Sequence, residues 1–313
     1  MAKPFMTYGQ QIQKLKDKNL TIENDLLVED ILHRYGYFAL ISGYKDLLKN
    51  PTTKNYKDGT TIHDLVAIYH FDEQLRGLTL QYLLHVERHI RSALSYGFCN
   101  QFGELQAAYL SAQNYDISTP KKMRSVTALI NRYLMPPVSR RSDHAYIEHQ
   151  KQQYHNVPLW VLVNALTFGN ISKMYELSKP QIQSSVSREF PGINEHQLRQ
   201  ILQVLTDFRN VCAHNERLFT YRCSRHDIPD LPLHKKLNIP KSGQEYRYGK
   251  RDYFAVLLAL RYLIPHKEFL AYKKSCSTLI DRLCKATDKI THAELLEKLG
   301  FPPNWSRITS YKK

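Results

Sequence analysis

Cysteine is scarce in this chain of 313 residues. Cys99, Cys212, Cys223, Cys276 and Cys284 include no C-x2-C pair, and an odd count does not suit a disulfide framework, so a reducing, cytoplasmic setting is expected. Long apolar runs are missing as well. No stretch approaches the roughly 18–20 residues that a membrane-spanning helix needs, and the opening MAKPFMTYGQQIQK lacks the apolar core of a signal peptide. Glycine-rich phosphate loops, H-E-x-x-H and G-x-S-x-G are absent, which leaves kinase-like, metalloprotease and serine-hydrolase chemistry unsupported. Strand-type alternation and internal repeats are lacking too. Acidic residues are outnumbered: 29 Asp and Glu stand against 44 Lys and Arg, a formal charge of +15 that implies a polyanionic partner.

What is present is helical. Apolar residues make up 42% of the chain and tyrosine alone occurs 21 times, a composition for a packed fold rather than a disordered one. Thr7 to Lys18 reads as a short helix ended by Asn19; a second begins at Asn24 and is interrupted by Gly36. Tyr35, Tyr37, Phe38 and Tyr44 read as core aromatics. Lys49 to Gly59 is a loop, after which Thr60 or Thr61 caps a long helix from Ile62 to about Phe98, with Asp64 in capping-box position for Thr61. Gly103 to Thr119 is expected to be loop-rich. Thr119-Pro120 opens a helix that Met135-Pro136-Pro137 should stop. Trp160 to Phe168 reads as a buried helix ended by Gly169, and Pro191-Gly192 as a break. Tyr221 to Lys250, rich in Pro, Gly and charge, reads as a long excursion rather than a packed element. Helical signal returns at Tyr253 to Ile264 and Leu270 to Leu283, and the tail beyond Pro302-Pro303 is expected to be loosely held. The fold class expected is an all-α multi-helix bundle with long loops. One integrated unit is expected, built from an N-terminal segment (1–60), a helical core (61–290) and a short basic tail (291–313).

Function points to Leu198 through Phe219. Leu198, Ile201, Leu202, Leu205, Phe208 and Cys212 fall at helical spacing and form one apolar stripe, and Arg209 lies inside it. A guanidinium aimed at a buried face is costly unless an anion or a dense set of acceptors meets it. His214 follows five residues on, flanked by Asn210 and Asn215. Arginine matches phosphate oxygens bidentately, and histidine both accepts and donates protons near neutral pH. RNA brings its own nucleophile, the 2′-hydroxyl, so such a group suits metal-independent RNA cleavage with no cofactor. At i and i+5 the two residues lie about 140° apart around a regular helix; either the helix ends near Ala213 or the pair works across a cleft. Spacing alone is weak, since Arg261 and His266 repeat it without polar companions.

The context Phe-Arg-Asn-Val-Cys-Ala-His-Asn-Glu-Arg-Leu resembles the HEPN ribonuclease superfamily, and more closely its Abi-like (AbiD/AbiF abortive-infection) family, whose signature is Arg-Asn-x-Cys-Ala-His-x-x-Arg-Leu. Lys3 to Tyr8 with Gln10-Gln11-Ile12, the aromatic run Tyr37 to Tyr44, and Pro158-Leu159-Trp160 with Thr167 to Ser172 are similar to other segments of that family. Asn164 departs from it at a place where relatives are expected to carry glutamate. The resemblance implies a HEPN-type bundle and an endoribonuclease of antiphage defence. Arg209, Asn210 and His214 would be catalytic, and Glu87, Arg91 and Asn215 supporting. It also implies a homodimer with the site at a two-fold interface, which would bury the apolar flank of Leu198 to Phe208 and Leu83 to Ile90 between chains. A regulatory or guide-like noncoding RNA, or an antitoxin, is a further expected partner. Glu87 and Arg91, at i and i+4, would otherwise simply pair on a solvated face. Arg88, Arg140, Arg141, Lys151 and Arg217 are candidates for contacts with RNA.

Other readings stand beside this one. A basic helical protein that binds RNA or a protein partner without cutting is the main alternative. A structural reading pairs Arg209 with Glu87 or Asp207 and makes His214 a helix cap. Cys212, His214, Cys223 and His226 have a spacing that matches no common zinc site, and Cys212 as a nucleophile competes with its place on the apolar stripe.

Overall fold

The computed structural model describes residues 4–311. Local caps start most of the helices. Thr7 and Gln10 exchange side-chain and backbone hydrogen bonds at the head of α1 (Tyr8–Lys16), and Asn24 accepts from two amides at the head of α2 (Asp25–Tyr35). Gly36, at φ 76°, ends α2 as a branched residue could not without strain. A wide π turn over Phe38–Ser42 and the turns of 49–59 lead to Thr61, whose amide donates to Asp64 at 2.8 Å and opens α3 (Ile62–Phe102).

The chain then builds around α3. After it come α4 (Gln106–Leu110), α5 (Pro120–Leu129), α6 (Met135–Ser139), α7 (Ala145–Tyr154), α8 (Leu159–Leu162), α9 (Phe168–Leu177) and α10 (Pro180–Ser187). Next are α11 (Glu195–Ala213), α12 (Pro232–Lys236), a hairpin of β1 (Lys241–Ser242) and β2 (Glu245–Tyr246), α13 (Tyr253–Leu263), α14 (His266–Ala286) and α15 (His292–Leu299). The fold is all-α, a multi-helix bundle whose sheet among the described residues is one two-residue hairpin. Leu65, Ile68, Leu75, Leu83, Val86, Ile90, Leu94 and Phe98 bury one side of α3, against which α14, α10, α11 and α8 pack. α13 is buried on every side, as a helix apolar all round should be.

Several expectations change. Pro136 and Pro137 do not stop the helix; a π turn over Ile130–Leu134 precedes them, so they enter a fresh first turn, where missing amides cost little. Gly169 does not end a helix either. Thr167 accepts from the Asn170 amide and starts α9, with Gly169 in its first turn, and Trp160 is half-exposed. Phe38 is 84% exposed rather than in the core. The Gly103–Thr119 stretch holds α4 and a short 3₁₀ turn. The 221–250 segment is packed, since Ile228, Leu231, Leu233, Leu237 and Ile239 are buried. The tail is anchored by buried Phe301, Trp305 and Ile308, and Arg261 donates to the Tyr311 carbonyl while lying over the Phe269 ring. The apolar residues Leu198, Ile201, Leu202, Leu205 and Phe208, with Leu83, Val86 and Ile90, are already buried within one chain, where α11 turns its stripe onto α3, α9 and α13; Leu84 and Arg88 of the same stretch of α3 stay exposed. No helix among the described residues is long and apolar enough to cross a membrane.

Asp252 joins the tail to the core. It caps α13 by accepting from the Ala255 amide at 3.1 Å and from Gly249 at 3.0 Å, and Gly300 fits against its carboxyl with no room for a Cβ. Burial pushes its carboxyl up to about 6, opposed by Arg222 and the amides. In the unfolded chain a carboxyl of this kind titrates near ~4. The folded state therefore holds this proton more tightly, and the group's contribution to stability falls as pH rises from about 4 to about 6. Asp252→Asn, which keeps an accepting oxygen, should flatten that part of the stability–pH profile in urea titrations; an unchanged profile would show that Asp252 does not set it.

Candidate active site

A capping box at Asn194 and Gln197 starts α11, and its buried stripe lays the helix against α3. Arg209 is brought to Glu87, which is buried in α3. The guanidinium Nε of Arg209 lies 3.5 Å from Glu87 Oε2, and Arg91 donates to Glu87 Oε1 from one turn further along α3. Arg91 Nη2 also donates to the Leu166 carbonyl at 2.6 Å, in the bend between α8 and α9. One carboxylate, 2% exposed, thus sits between two guanidinium groups that are 26% and 22% exposed. The cluster carries an excess of one positive charge on a face open to solvent. No hydrogen bond among the described residues engages the terminal amino groups of Arg209, and the buried Nε atoms of both arginines have no acceptor in hydrogen-bond geometry. Glu87 Oε2, itself without a hydrogen bond, is the acceptor that faces the Arg209 Nε, which leaves the terminal amino groups of Arg209 open to an anion.

The helix ends where the motif requires it to. Ala213 is its last residue, and the His214 amide donates to the Asn210 carbonyl. Asn215 takes a φ of 57°, and the Glu216 amide returns to the Val211 carbonyl, a Schellman closure with asparagine in the left-handed position. His214 is exposed and no hydrogen bond holds its ring nitrogens among the described residues, so both are free for proton transfer. Asn210 is exposed on the same last turn.

The segment that follows is pinned to α3 by residues that motif spacing does not single out. Asp72, wholly buried, accepts from Tyr44 Oη (2.8 Å), Arg76 Nη1 (2.6 Å) and the backbone amides of Leu218 and Phe219 (3.1 and 2.9 Å). Arg76 also reaches the Glu216 carbonyl. Burial pushes the Asp72 carboxyl above its ordinary value, and Arg76, Tyr44 and the amides oppose that shift. The sequence does carry a signal for them: Asp72 and Arg76 interrupt the apolar stripe of α3, as Glu87 does further on.

The remaining candidates fall elsewhere. Arg88 is exposed on the outer side of α3. Arg140 and Arg141 are exposed between α6 and α7, which packs against α8. Lys151 is committed to Glu148 and the Arg140 carbonyl, and Arg217 to the Gly43 carbonyl. Asn164 spends its amide on the Trp160 and Val161 carbonyls. His226 pairs with Asp207 at 2.8 Å, so Asp207 is not the partner of Arg209. Among the described residues no three His, Cys, Asp or Glu side chains gather as a metal site would require. Burial pushes the Cys212 thiol up to about 12, where it is a poor nucleophile.

Fold and cluster define a basic helical protein in which Arg209 is paired with Glu87 and an exposed His214 ends the same helix. The chain belongs to the Abi-like protein family, whose sequence model matches residues 30–220, from α2 through the end of the motif segment. Neither a curated protein nor a solved structure matches it. The N-terminal similarity at residues 3–12 lies before the matched range, with its first residue outside the described ones, and α13 to α15 lie beyond it.

Removing the Asp72 carboxylate leaves Arg76 buried and unpaired and frees two amides. Asp72→Ala should therefore lower unfolding free energy by about 3–5 kcal/mol, measured by urea denaturation. A loss below about 1 kcal/mol would mean the clamp carries little.

Proposed function

We propose that this protein is a metal-independent endoribonuclease of abortive-infection type, acting in the cytoplasm. The observation that carries the reading is the pairing of an arginine whose terminal donors lack protein partners with an uncommitted histidine on the same helix end. The scissile phosphate would sit against Arg209, with Arg91 adding charge and Glu87 holding both guanidinium groups in place. His214 would take the proton of the 2′-hydroxyl, or return one to the leaving 5′-oxygen, and Asn210 would orient the phosphate or the ring. The net charge of +15 favours RNA approach, and exposed Arg88, Arg140 and Arg141 offer phosphate contacts. Arg140 and Arg141 also suit a regulatory or guide-like RNA. Membership of the Abi-like family supports a defensive role through growth arrest.

A single histidine serving as both base and acid is a constraint that a homodimer relieves. Leu84 and Arg88, one turn apart, are exposed on α3 beside Glu87 and Arg91, and a second copy packed there would bring two motifs to one cleft. The structural reading has two observations in its favour: Glu87 gives Arg209 an ion-pair partner, and His214 is the C-cap of α11. A helical protein that binds RNA or a protein without cutting is the other alternative.

One set of assays separates these readings. Cleavage of labelled RNA should survive EDTA and leave a 2′,3′-cyclic phosphate and a 5′-hydroxyl. His214→Ala should slow it ~10²–10⁴-fold with folding and RNA affinity kept. Strict need for added divalent metal, or full activity in His214→Ala, would sink the mechanism. Specific activity should also fall on dilution in step with loss of the dimer by light scattering; a monomer cutting at undiminished specific activity would exclude the shared cleft.

A further inference from the structure

Against the Schellman closure that ends α11 lies a cavity of ≈ 420 Å³. That size falls in the range of small-ligand pockets. The π turn of Phe38–Ser42 forms one wall, Tyr44 and Tyr69 the floor, and Asn215, Glu216 and Arg217 the other wall. Phe38 stands on its rim, 84% exposed, a placement that burial in the core does not explain. The floor is rigid. Tyr69 meets Tyr35 and Tyr44 edge-on, and Tyr44 is fixed by Asp72 and by stacking on Phe219.

The opposite wall is rigid in its backbone and unspent in its side chain. Arg76 holds the Glu216 carbonyl, Arg217 donates to Gly43, and the Glu216 amide closes on Val211. No hydrogen bond or salt bridge engages the Glu216 carboxylate among the described residues, and it is exposed at the cavity. A second cavity of ≈ 360 Å³ shares Gly43, Tyr44 and Arg217 with the first and adds Arg222 and Lys298, a basic continuation for a phosphate backbone.

We propose that the cavity between Phe38 and Glu216 is a nucleobase pocket that reads guanine in the bound RNA, several nucleotides from the scissile phosphate. The assignment rests on the cleavage reading above. A base from single-stranded RNA would stack on Phe38 with its Watson–Crick edge toward Glu216. Guanine alone presents two adjacent donors there, N1–H and the N2 amino group, which a carboxylate accepts as a pair. Adenine and cytosine set one amino group beside a ring nitrogen that repels a carboxylate, and uracil flanks its single N3–H with two carbonyls. Tyr69 lies eighteen residues before Glu87 on α3, about 27 Å at 1.5 Å per residue, so a base held there belongs to a nucleotide several positions from the cut.

The test uses the full chain and oligonucleotides with a single G among other bases, with fragment ends mapped by mass spectrometry. Cutting should fall at a fixed distance of several nucleotides from G, and replacing that G by inosine, which lacks the N2 amine, should slow it between about five- and a hundredfold. Glu216→Gln should abolish the preference for G over A while RNA is still cut. Phe38→Ala should weaken cutting at any base, by a similar factor. Both side chains are exposed, so thermal melting should match the parent chain. Binding of guanosine 3′-monophosphate, compared with the adenosine nucleotide by calorimetry, gives a readout independent of cutting. Cutting without base preference overturns the pocket and leaves the nuclease intact; if guanosine monophosphate still binds selectively in that case, the cavity takes a free nucleotide and the proposal is likewise overturned. A chain that cuts nothing yet binds the guanine nucleotide selectively, and loses that in Glu216→Gln, keeps the base pocket and overturns the cleavage reading.

Discussion

A single buried carboxylate decides where the motif segment lies. Asp72 is withdrawn from water inside α3 and is tolerable there because four donors converge on it, two of them backbone amides from just beyond the motif. Fixing Leu218 and Phe219 in this way fixes the end of α11, and with it the exposed ring of His214. The side chains that bring phosphate chemistry into view are thus held by a contact that takes no part in it.

The second buried carboxylate on the same helix has a different balance. Fifteen residues along α3, roughly 22 Å at 1.5 Å per residue, Glu87 meets two guanidinium groups rather than one. Asp72 meets four donors, although Arg76 Nη2 beside it has no acceptor, whereas the Glu87 cluster holds a second guanidinium and an excess of one positive charge. The two carboxylates differ in that count of arginines, although both occupy the apolar stripe of one helix.

Much of this was legible in the sequence because it is local. Thr7, Asn24, Thr61 with Asp64, and Thr119 cap helices through contacts three residues away, and the stripe of α11 follows from helical spacing. The pairing of Glu87 with Arg91 could be read the same way. What spacing could not convey is which side of an element faces what. Phe38 reads as core until the π turn rotates it outward, and the residues of 221–250 read as a loop until Ile228 and Leu233 find a surface to cover. Pro136 and Pro137 mislead for a related reason, because a widened turn upstream changes which amides the helix needs. The role of Asp72 was hidden because two of its partners, the amides of Leu218 and Phe219, are nearly 150 residues away along the chain.

Lys57 donates to the Lys289 carbonyl and reaches Glu294, while α14 is laid along α3. These contacts join stretches that leave the ribosome far apart in time. During synthesis α3 emerges long before α13 and α14 exist, with its apolar side uncovered and nothing to press α11 into register. Contacts of such sequence separation form late. A nascent chain therefore carries Arg209 and His214 before it has the scaffold that aligns them, and their assembly waits on the helices that follow.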